Sequence, residues 1–168
     1  MKPTPLLTGW TCRHLGDTAP GKPVTLPHDA MLAEPRTALS AGGTNTGWYE
    51  GHDYEYRRTL TVQENELADT HILEFEGVYH NAEVWLNGQK AAFRPYGYTN
   101  FYVDCVPYLH AGENELRVIA HNADQPNSRW YSGAGIYRPV QLWTARGAHI
   151  ALNGVKIRTL SLDPAVVE

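Results

Sequence analysis

Short segments in which apolar and polar residues alternate, or in which apolar and β-branched residues cluster, recur along the whole chain. They are residues 54–62, 71–78, 82–86, 90–93, 98–104, 116–121, 140–143 and 155–158. Alternation with a period of two places successive side chains on opposite faces, which is typical of half-buried β-strands. No segment keeps an apolar period of 3.6 residues beyond two turns, so we expect little helix.

Turn signals separate these segments at intervals of roughly ten residues. Asn87-Gly88 is a strong hairpin signal, and residues 111–114 predict another turn. Many short strands with Gly and Asn between them are typical of a β-sandwich or jelly roll. The stretch from about residue 30 to 50 has no period and is rich in Gly, Thr and Ala, which predicts a long loop of the kind that often carries function.

Composition narrows the classes of protein. The chain has 168 residues, 42% of them hydrophobic and 19% charged, which is typical of a globular domain. A net charge of −4 with scattered basic residues argues against nucleic-acid or anionic-membrane partners. The chain has neither a signal-peptide pattern nor a transmembrane run, so we expect a cytoplasmic location. Cys12 and Cys105 lie far apart and predict two reduced, partly buried thiols.

A search for catalytic chemistry is unproductive. The eight histidines show no metal-ligand spacing, and no phosphate-binding glycine loop or nucleophile elbow is present, so we expect no metal and no cofactor. The acidic clusters 64–66 and 113–115 lie at predicted turns, where carboxylates are ordinary solvated residues. Since a glycosidase needs two carboxylates across the scissile bond, the sequence predicts no catalytic pair.

The aromatic residues are more informative. Trp85 and Trp143 lie within alternating segments, which predicts that they belong to the core. Trp48-Tyr49 and Trp130-Tyr131 follow loop-like sequence, and for them a core role and a binding role stay equally open. Exposed Trp and Tyr side chains beside polar groups suit carbohydrates, because sugar rings present apolar C–H faces that stack on aromatic planes.

Several phrases, taken together and in order, resemble the N-terminal sugar-binding domain of glycoside hydrolase family 2, the β-galactosidase, β-glucuronidase and β-mannosidase group. The phrases are LPHD (26–29), EYRR (55–58), VWLNG (84–88), GYT (97–99), the Leu109–Leu116 turn pattern and SRWYSGAGIYR (128–138). The resemblance covers about residues 8 to 145. The first and last phrases are closer to the β-galactosidase branch.

The resemblance implies a galactose-binding-domain-like jelly-roll β-sandwich, followed in a longer protein by an immunoglobulin-like domain and a TIM barrel with the catalytic glutamates. We therefore expect a sugar-binding domain over residues 1–147, with residues 148–168 beginning the next domain. The chain would be the non-catalytic N-terminal domain of a retaining glycosidase, shaping the pocket for a β-linked sugar, most simply a galactoside. A stand-alone carbohydrate-binding module and a purely structural or oligomer-forming domain remain the alternatives.

The resemblance also suggests candidate binding residues. The family's contributing acid lies five residues before the Gly-Ala-Gly alanine, where this chain has Arg129, followed by Trp130 and Tyr131. Arg129 could donate hydrogen bonds to sugar hydroxyls, pair with a barrel carboxylate or bridge a neighbouring acid. A second contribution is expected from the long loop, around Asn45 or Trp48. Asp29 could either cap a turn or face the pocket.

Overall fold

A computed structural model describes residues 1–168 and contains twelve β-strands with little helix. The strands are β1 (Lys2–Pro5), β2 (Trp10–His14), β3 (Lys22–Val24), β4 (Tyr54–Val62), β5 (Thr70–Phe75), β6 (Ala82–Leu86), β7 (Gln89–Arg94), β8 (Phe101–Asp104), β9 (Gly112–Ala120), β10 (Val140–Ala145), β11 (Thr159–Leu162) and β12 (Ala165–Val167). Four single-turn 3-10 helices cover Ala30–Ala33, Gly43–Thr46, Glu64–Glu66 and Val106–Tyr108. None of these helices has the length and hydrophobicity that a membrane-spanning helix requires.

Two antiparallel sheets form the body of the molecule. One has four strands in the order β1-β10-β5-β8, and the other has six in the order β3-β2-β4-β9-β6-β7. The longest pairing joins β4 to β9 over nine residues, from Tyr54 opposite Ala120 to Val62 opposite Gly112. Several neighbouring strands, among them β1 with β10 and β4 with β9, come from distant parts of the chain, as in a jelly roll. The predicted all-β jelly-roll sandwich is confirmed.

The core is a single cluster of 24 buried residues supplied by both sheets and by the segment around Ala30. Alternation explains its composition, since Leu73 and Phe75 on β5 and Val84 and Leu86 on β6 are all fully buried. Trp10 is also buried, and its indole N–H donates to the carbonyl of Leu6 at 2.7 Å. A buried indole needs such a partner, because an unsatisfied N–H would cost free energy.

The prediction that Trp85 and Trp143 belong to the core is wrong. Val84 and Leu86 point inward on β6, so Trp85 lies on the outer face, where the Arg117 guanidinium is 5.7 Å from its ring. Trp143 lies on the outer face of β10 and its indole N–H donates to the Glu74 carboxylate at 2.7 Å. Both strands alternate as predicted, but in each of them the residues next to the tryptophan, rather than the tryptophan itself, face the core.

The hairpin between β6 and β7 turns at Asn87-Gly88 as predicted, with φ values of +49° and +76°. Positive φ at both positions is the requirement of the hairpin turn that this pair favours. The predicted turn at 111–114 is wrong in extent, because β9 already begins at Gly112. The buried Asn114 side chain accepts from the Asn87 amide at 2.7 Å and from the His110 backbone N–H at 2.9 Å.

The C-terminal strand is also shifted from its predicted place. No strand covers 155–158; β11 and β12 follow it and form a separate two-stranded sheet. Arg158 and Glu168 close this hairpin with reciprocal backbone hydrogen bonds of 2.9 Å. The boundary between a first domain ending at 147 and a second beginning at 148 stays a prediction. Cys12 and Cys105 are free and buried, as expected, and burial raises the pKa of the Cys12 thiol to about 11.

Candidate functional site

Two of the recognised phrases, which lie about a hundred residues apart in sequence, are neighbours in the fold. The backbone N–H of His28 donates to Ile136 O at 2.8 Å, and that of Ala30 donates to Ala134 O at 2.9 Å. On the other side, Gly135 and Tyr79 exchange backbone hydrogen bonds of 2.8 and 3.0 Å. The segment 134–136 is therefore held between two other segments of backbone.

Asp29 joins these segments through its side chain. One carboxylate oxygen accepts from the backbone N–H of Met31 at 3.1 Å and of Ala134 at 3.0 Å. The other accepts from the Tyr131 hydroxyl at 2.5 Å. Asp29 thus caps the 3-10 helix Ala30–Ala33, the first of the two roles considered for it, and also fixes the Tyr131 ring. Burial, and next the hydrogen bond to Asp29, raise the pKa of Tyr131.

Two glycines allow this close packing. Gly135 has φ of +94°, and a Cβ there would overlap the Tyr56 hydroxyl. Gly133 has φ of +70°, and a Cβ there would lie 2.6 Å from the Asp29 carboxylate. Both the left-handed backbone and the missing side chain are needed, so glycine is the residue that fits. The Tyr56 hydroxyl is hydrogen-bonded to the His28 imidazole at 2.8 Å beneath the turn.

The long loop is ordered by its own contacts. In the 3-10 helix Gly43–Thr46, the buried Thr46 hydroxyl donates to Tyr49 O at 3.1 Å, and Asn45 is half-buried. Trp48 follows with φ of +68°, a conformation that is rare for a bulky residue and often marks a functional position. The Tyr49 ring lies 6.0 Å from the Tyr131 ring, which brings the loop beside the 128–135 turn.

The aromatic side chains at this junction are accessible. Trp130 is 64% exposed, Tyr131 40% and Trp48 38%. These three side chains therefore lie outside the core, whereas Tyr49 is half-buried and packs against it; a binding role for them stays a prediction. On the other flank of Tyr131, the Ser132 hydroxyl is hydrogen-bonded to the exposed Tyr98 hydroxyl at 2.8 Å. We call the patch formed by Trp48, Tyr49, Tyr98, Trp130 and Tyr131 the aromatic surface.

Arg129 lies beside the aromatic surface and is exposed. Its guanidinium forms neither an ion pair nor a hydrogen bond within the chain, so the bridge to a neighbouring acid considered for it is not formed here. A free guanidinium next to aromatic rings offers several hydrogen-bond donors to a polar ligand or to a carboxylate on another domain.

The aromatic surface is open rather than enclosed. A cleft of about 220 Å³ lies elsewhere and is lined by residues including Arg13, His14, Glu34 and Tyr54. Asp29, the one carboxylate of the candidate set, lies next to the aromatic surface and already accepts three hydrogen bonds. The arrangement therefore suits stacking and hydrogen bonding to a ligand, and it has no pair of free carboxylates for glycoside hydrolysis.

Sequence reasoning selected Asp29, Trp48, Trp130 and Tyr131, and the fold brings the segments that carry them together. It missed the contribution of Tyr56, which supports the turn from below. Strand alternation alone makes Tyr56 an inward-facing core residue, and the close approach of Gly135 to its hydroxyl exists only in the folded chain.

Comparison with known proteins gives a consistent result. The domain family described as glycosyl hydrolase 2 galactose-binding domain-like matches residues 10–158. The chain is 40% identical over 161 residues to the β-galactosidase BoGH2A of Bacteroides ovatus, covering 89% of this chain and 19% of that protein. It is 26% identical over 125 residues to a β-glucuronidase of Formosa agariphila, covering 63% of this chain and 13% of that protein.

Among solved structures, a β-glycosidase from Bacteroides vulgatus superposes with a TM-score of 0.84 at 31% identity, covering 95% of this chain and 22% of that one. The chain therefore spans about a fifth of the length of BoGH2A and of the Bacteroides vulgatus β-glycosidase.

Proposed function

Because this chain belongs to the glycosyl hydrolase 2 galactose-binding domain-like family, we propose that it is the non-catalytic domain of a retaining family 2 glycoside hydrolase that helps shape the terminal-sugar pocket and packs on the catalytic barrel. The family predicted from the ordered phrases is confirmed. A β-galactosidase is the enzyme we propose, since BoGH2A, at 40% identity, is a β-galactosidase.

The convergence of three remote segments at the aromatic surface carries the proposal. Asp29, through the Tyr131 hydroxyl and the Ala134 N–H, ties the 28–31 segment to the 128–135 turn, and Tyr49 brings the long loop alongside. These contacts hold the Trp130 and Tyr131 side chains outside the core, where their aromatic faces are exposed to solvent. Such exposure is favourable when another domain or a sugar ring covers the rings.

Kinetics of the enzyme that contains this domain test the role in the pocket. We expect Trp130→Ala and Arg129→Ala each to lower kcat/KM for a nitrophenyl β-galactoside by about tenfold or more, equivalent to about 1.4 kcal/mol of transition-state stabilisation. Trp85→Ala is the matched control, because Trp85 lies on the outer face of β6. Unchanged kcat/KM in both variants would contradict a role in the pocket and favour a structural one.

The isolated chain should not hydrolyse the same substrate. The sugar preference is tested by comparing rates of the full enzyme on nitrophenyl β-galactoside and β-glucuronide, since the relatives carry both names. A faster reaction with the glucuronide would contradict the β-galactosidase assignment without affecting the role of the aromatic surface.

A stand-alone carbohydrate-binding module is the second candidate. The exposure of Trp130 and Tyr131 within this chain favours it, because both rings are accessible without another domain. Calorimetric titration of the chain with galactosides distinguishes the two proposals. Binding at millimolar or tighter affinity would support the module, and the absence of heat would leave the pocket-shaping role.

A further inference from the structure

A cluster of two imidazoles and one carboxylate lies beside the cleft described above and shares no residue with the aromatic surface. His14 is the last residue of β2, Glu34 follows the 3-10 helix Ala30–Ala33, and His52 precedes β4. The Nε2 of His14 lies 2.7 Å from one Glu34 carboxylate oxygen, and the Nε2 of His52 lies 3.6 Å from the other. One ligand atom from each of the three side chains lies within 4.8 Å of the others.

We propose that His14, Glu34 and His52 form a binding site for a zinc ion, with Nε2 of each imidazole and a carboxylate oxygen as ligands. Two histidines and one glutamate are a donor set that zinc accepts, with a fourth position left for water. Donor atoms around a tetrahedral zinc lie about 3.4 Å apart, given bonds of about 2.1 Å. In the structure the Nε2–oxygen distances of 2.7 and 3.6 Å lie on either side of that value, and both histidine side chains are partly exposed.

The surroundings of the cluster support a metal rather than a simple ion pair. The imidazole rings lie side by side, with centroids 4.3 Å apart, and the Nε2 atom of each ring lies next to an oxygen of the same Glu34 carboxylate. The Tyr54 hydroxyl donates at 3.1 Å to Glu34 Oε1, the oxygen that also lies next to His14. An outer-shell group orients a metal ligand in this way. His14, Glu34 and Tyr54 line the open cleft, which provides an entry path.

The position of the site gives it a mechanical consequence. Glu34 and His52 lie at the two ends of the loop that carries Trp48 and Tyr49, and within this loop Arg36 forms an isolated antiparallel β-bridge with Tyr49. A zinc ion would join both ends of this loop to the end of β2. The inference goes beyond the proposed sugar-pocket role and does not depend on it.

Titration of the protein with zinc after treatment with a chelator tests the site. We expect one equivalent bound with Kd on the order of 1 µM or tighter. At a free zinc concentration of 100 times Kd, the Tm should rise by roughly 5–10 °C. Cobalt(II), used as a spectroscopic substitute, should show the visible absorption of a tetrahedral site.

Variants locate the binding. His52→Gln and Glu34→Gln should each weaken zinc binding at least about 100-fold, and Tyr54→Phe by about tenfold. His149→Gln is the control, because His149 is exposed and remote in sequence from the cluster. His52 lies in a loop outside the strands, so its variant should fold even if a variant in β2 does not, and circular dichroism checks this. Millimolar affinity in the wild type, or unchanged affinity in His52→Gln and Glu34→Gln, would overturn the proposal.

Discussion

Asp29 and Glu55 are both carboxylates that accept three or more hydrogen bonds, but their donors differ in kind. Glu55 is 2% exposed on the outer face of β4, and it accepts hydrogen bonds from Arg13 at 2.7 Å, Arg57 at 2.9 Å and Arg117 at 2.5 Å. Arg13 is its cross-strand partner on β2, and Arg57 is on its own strand. The regular register of the sheet brings these side chains together, so that each of the three guanidinium groups pairs with the Glu55 carboxylate.

Asp29 instead lies among loops, and its donors are two backbone N–H groups and the Tyr131 hydroxyl. Its hydrogen bonds hold backbone in place and leave the neighbouring aromatic rings uncovered. The Glu55 carboxylate and its arginines satisfy one another within the sheet. Asp29 instead orients the Tyr131 side chain, whose ring stays accessible to a ligand or to another domain. This difference is the reason that the loop residues around Asp29, rather than the group around Glu55, are proposed as the candidate site.

The largest expected effect comes from breaking the turn that Asp29 holds. Gly135→Ala should destabilise the domain by about 4 kcal/mol, because it adds a methyl group against Tyr56 at a positive φ. Gly112→Ala is a matched control, since Gly112 has φ of +93° and no heavy atom within 4 Å of a built Cβ, and it should cost about 1 kcal/mol. Urea denaturation measures both, and equal losses would show that Tyr56 does not confine the turn.

Removing the charge of Glu55 should come next. Glu55→Gln should lower the free energy of unfolding by about 3 kcal/mol, because it leaves three arginines without their shared partner. Glu113→Gln, at an exposed position on β9, should change it by less than about 0.5 kcal/mol. The same urea series measures both variants. A Glu55→Gln effect no larger than that of the control would mean that solvent already screens the cluster.

The same cluster predicts a dependence on acid. Burial alone would raise the pKa of Glu55, but hydrogen bonds from Arg57, Arg13 and Arg117 outweigh it and lower the pKa to about 2. A carboxyl whose pKa is lower in the folded state stabilises the fold above its unfolded pKa, about 4.3, and loses that contribution as the pH falls towards 2. Tm measured from pH 5 to pH 2 should therefore fall less steeply in Glu55→Gln than in the wild type. Parallel curves would contradict the shift.

The three hydrogen bonds that Asp29 accepts should contribute less to stability than the Glu55 cluster does, and more to function. Asp29→Ala removes a helix cap and the acceptor of the Tyr131 hydroxyl, so we expect a loss of about 2 kcal/mol. Asp17→Ala, at an exposed aspartate with no side-chain hydrogen bond, is the control and should be neutral. Thermal denaturation checks the stability. If Asp29→Ala left kcat/KM of the full enzyme unchanged, the hydrogen bonds of Asp29 would not contribute to the proposed sugar pocket.

The smallest effect on stability is expected at the aromatic surface itself. Trp130→Ala should change the free energy of unfolding by less than about 0.5 kcal/mol, since its ring is largely exposed. Trp10→Ala, in the core, should cost about 4 kcal/mol and calibrates the measurement. A loss above 1 kcal/mol at Trp130 would show that the ring packs on this domain, which would weaken its assignment to a ligand or to another domain.

Local pattern was enough to predict the strands from β4 to β10, but it missed β1, β2 and β3. Strand β6 was predicted with its observed bounds, and the Asn87-Gly88 turn and the capping role of Asp29 followed from turn chemistry. The faces of Trp85 and Trp143 could not be predicted in the same way. A period of two is local, but which phase faces the core depends on how the partner strands are arranged, and that is a property of the whole sheet.

The alternation of the strands, the glycine turns and the family phrases depend on near neighbours, so they can be read from the chain before it folds. Contacts between distant residues exist only in the folded molecule. Asp29 reaches Tyr131 across 102 positions of sequence, and His14, Glu34 and His52 converge from three segments with no recognisable metal spacing. These encounters depend on how the sheets pair and how the loops close over the core, because the side chains that meet have no periodic relation along the chain.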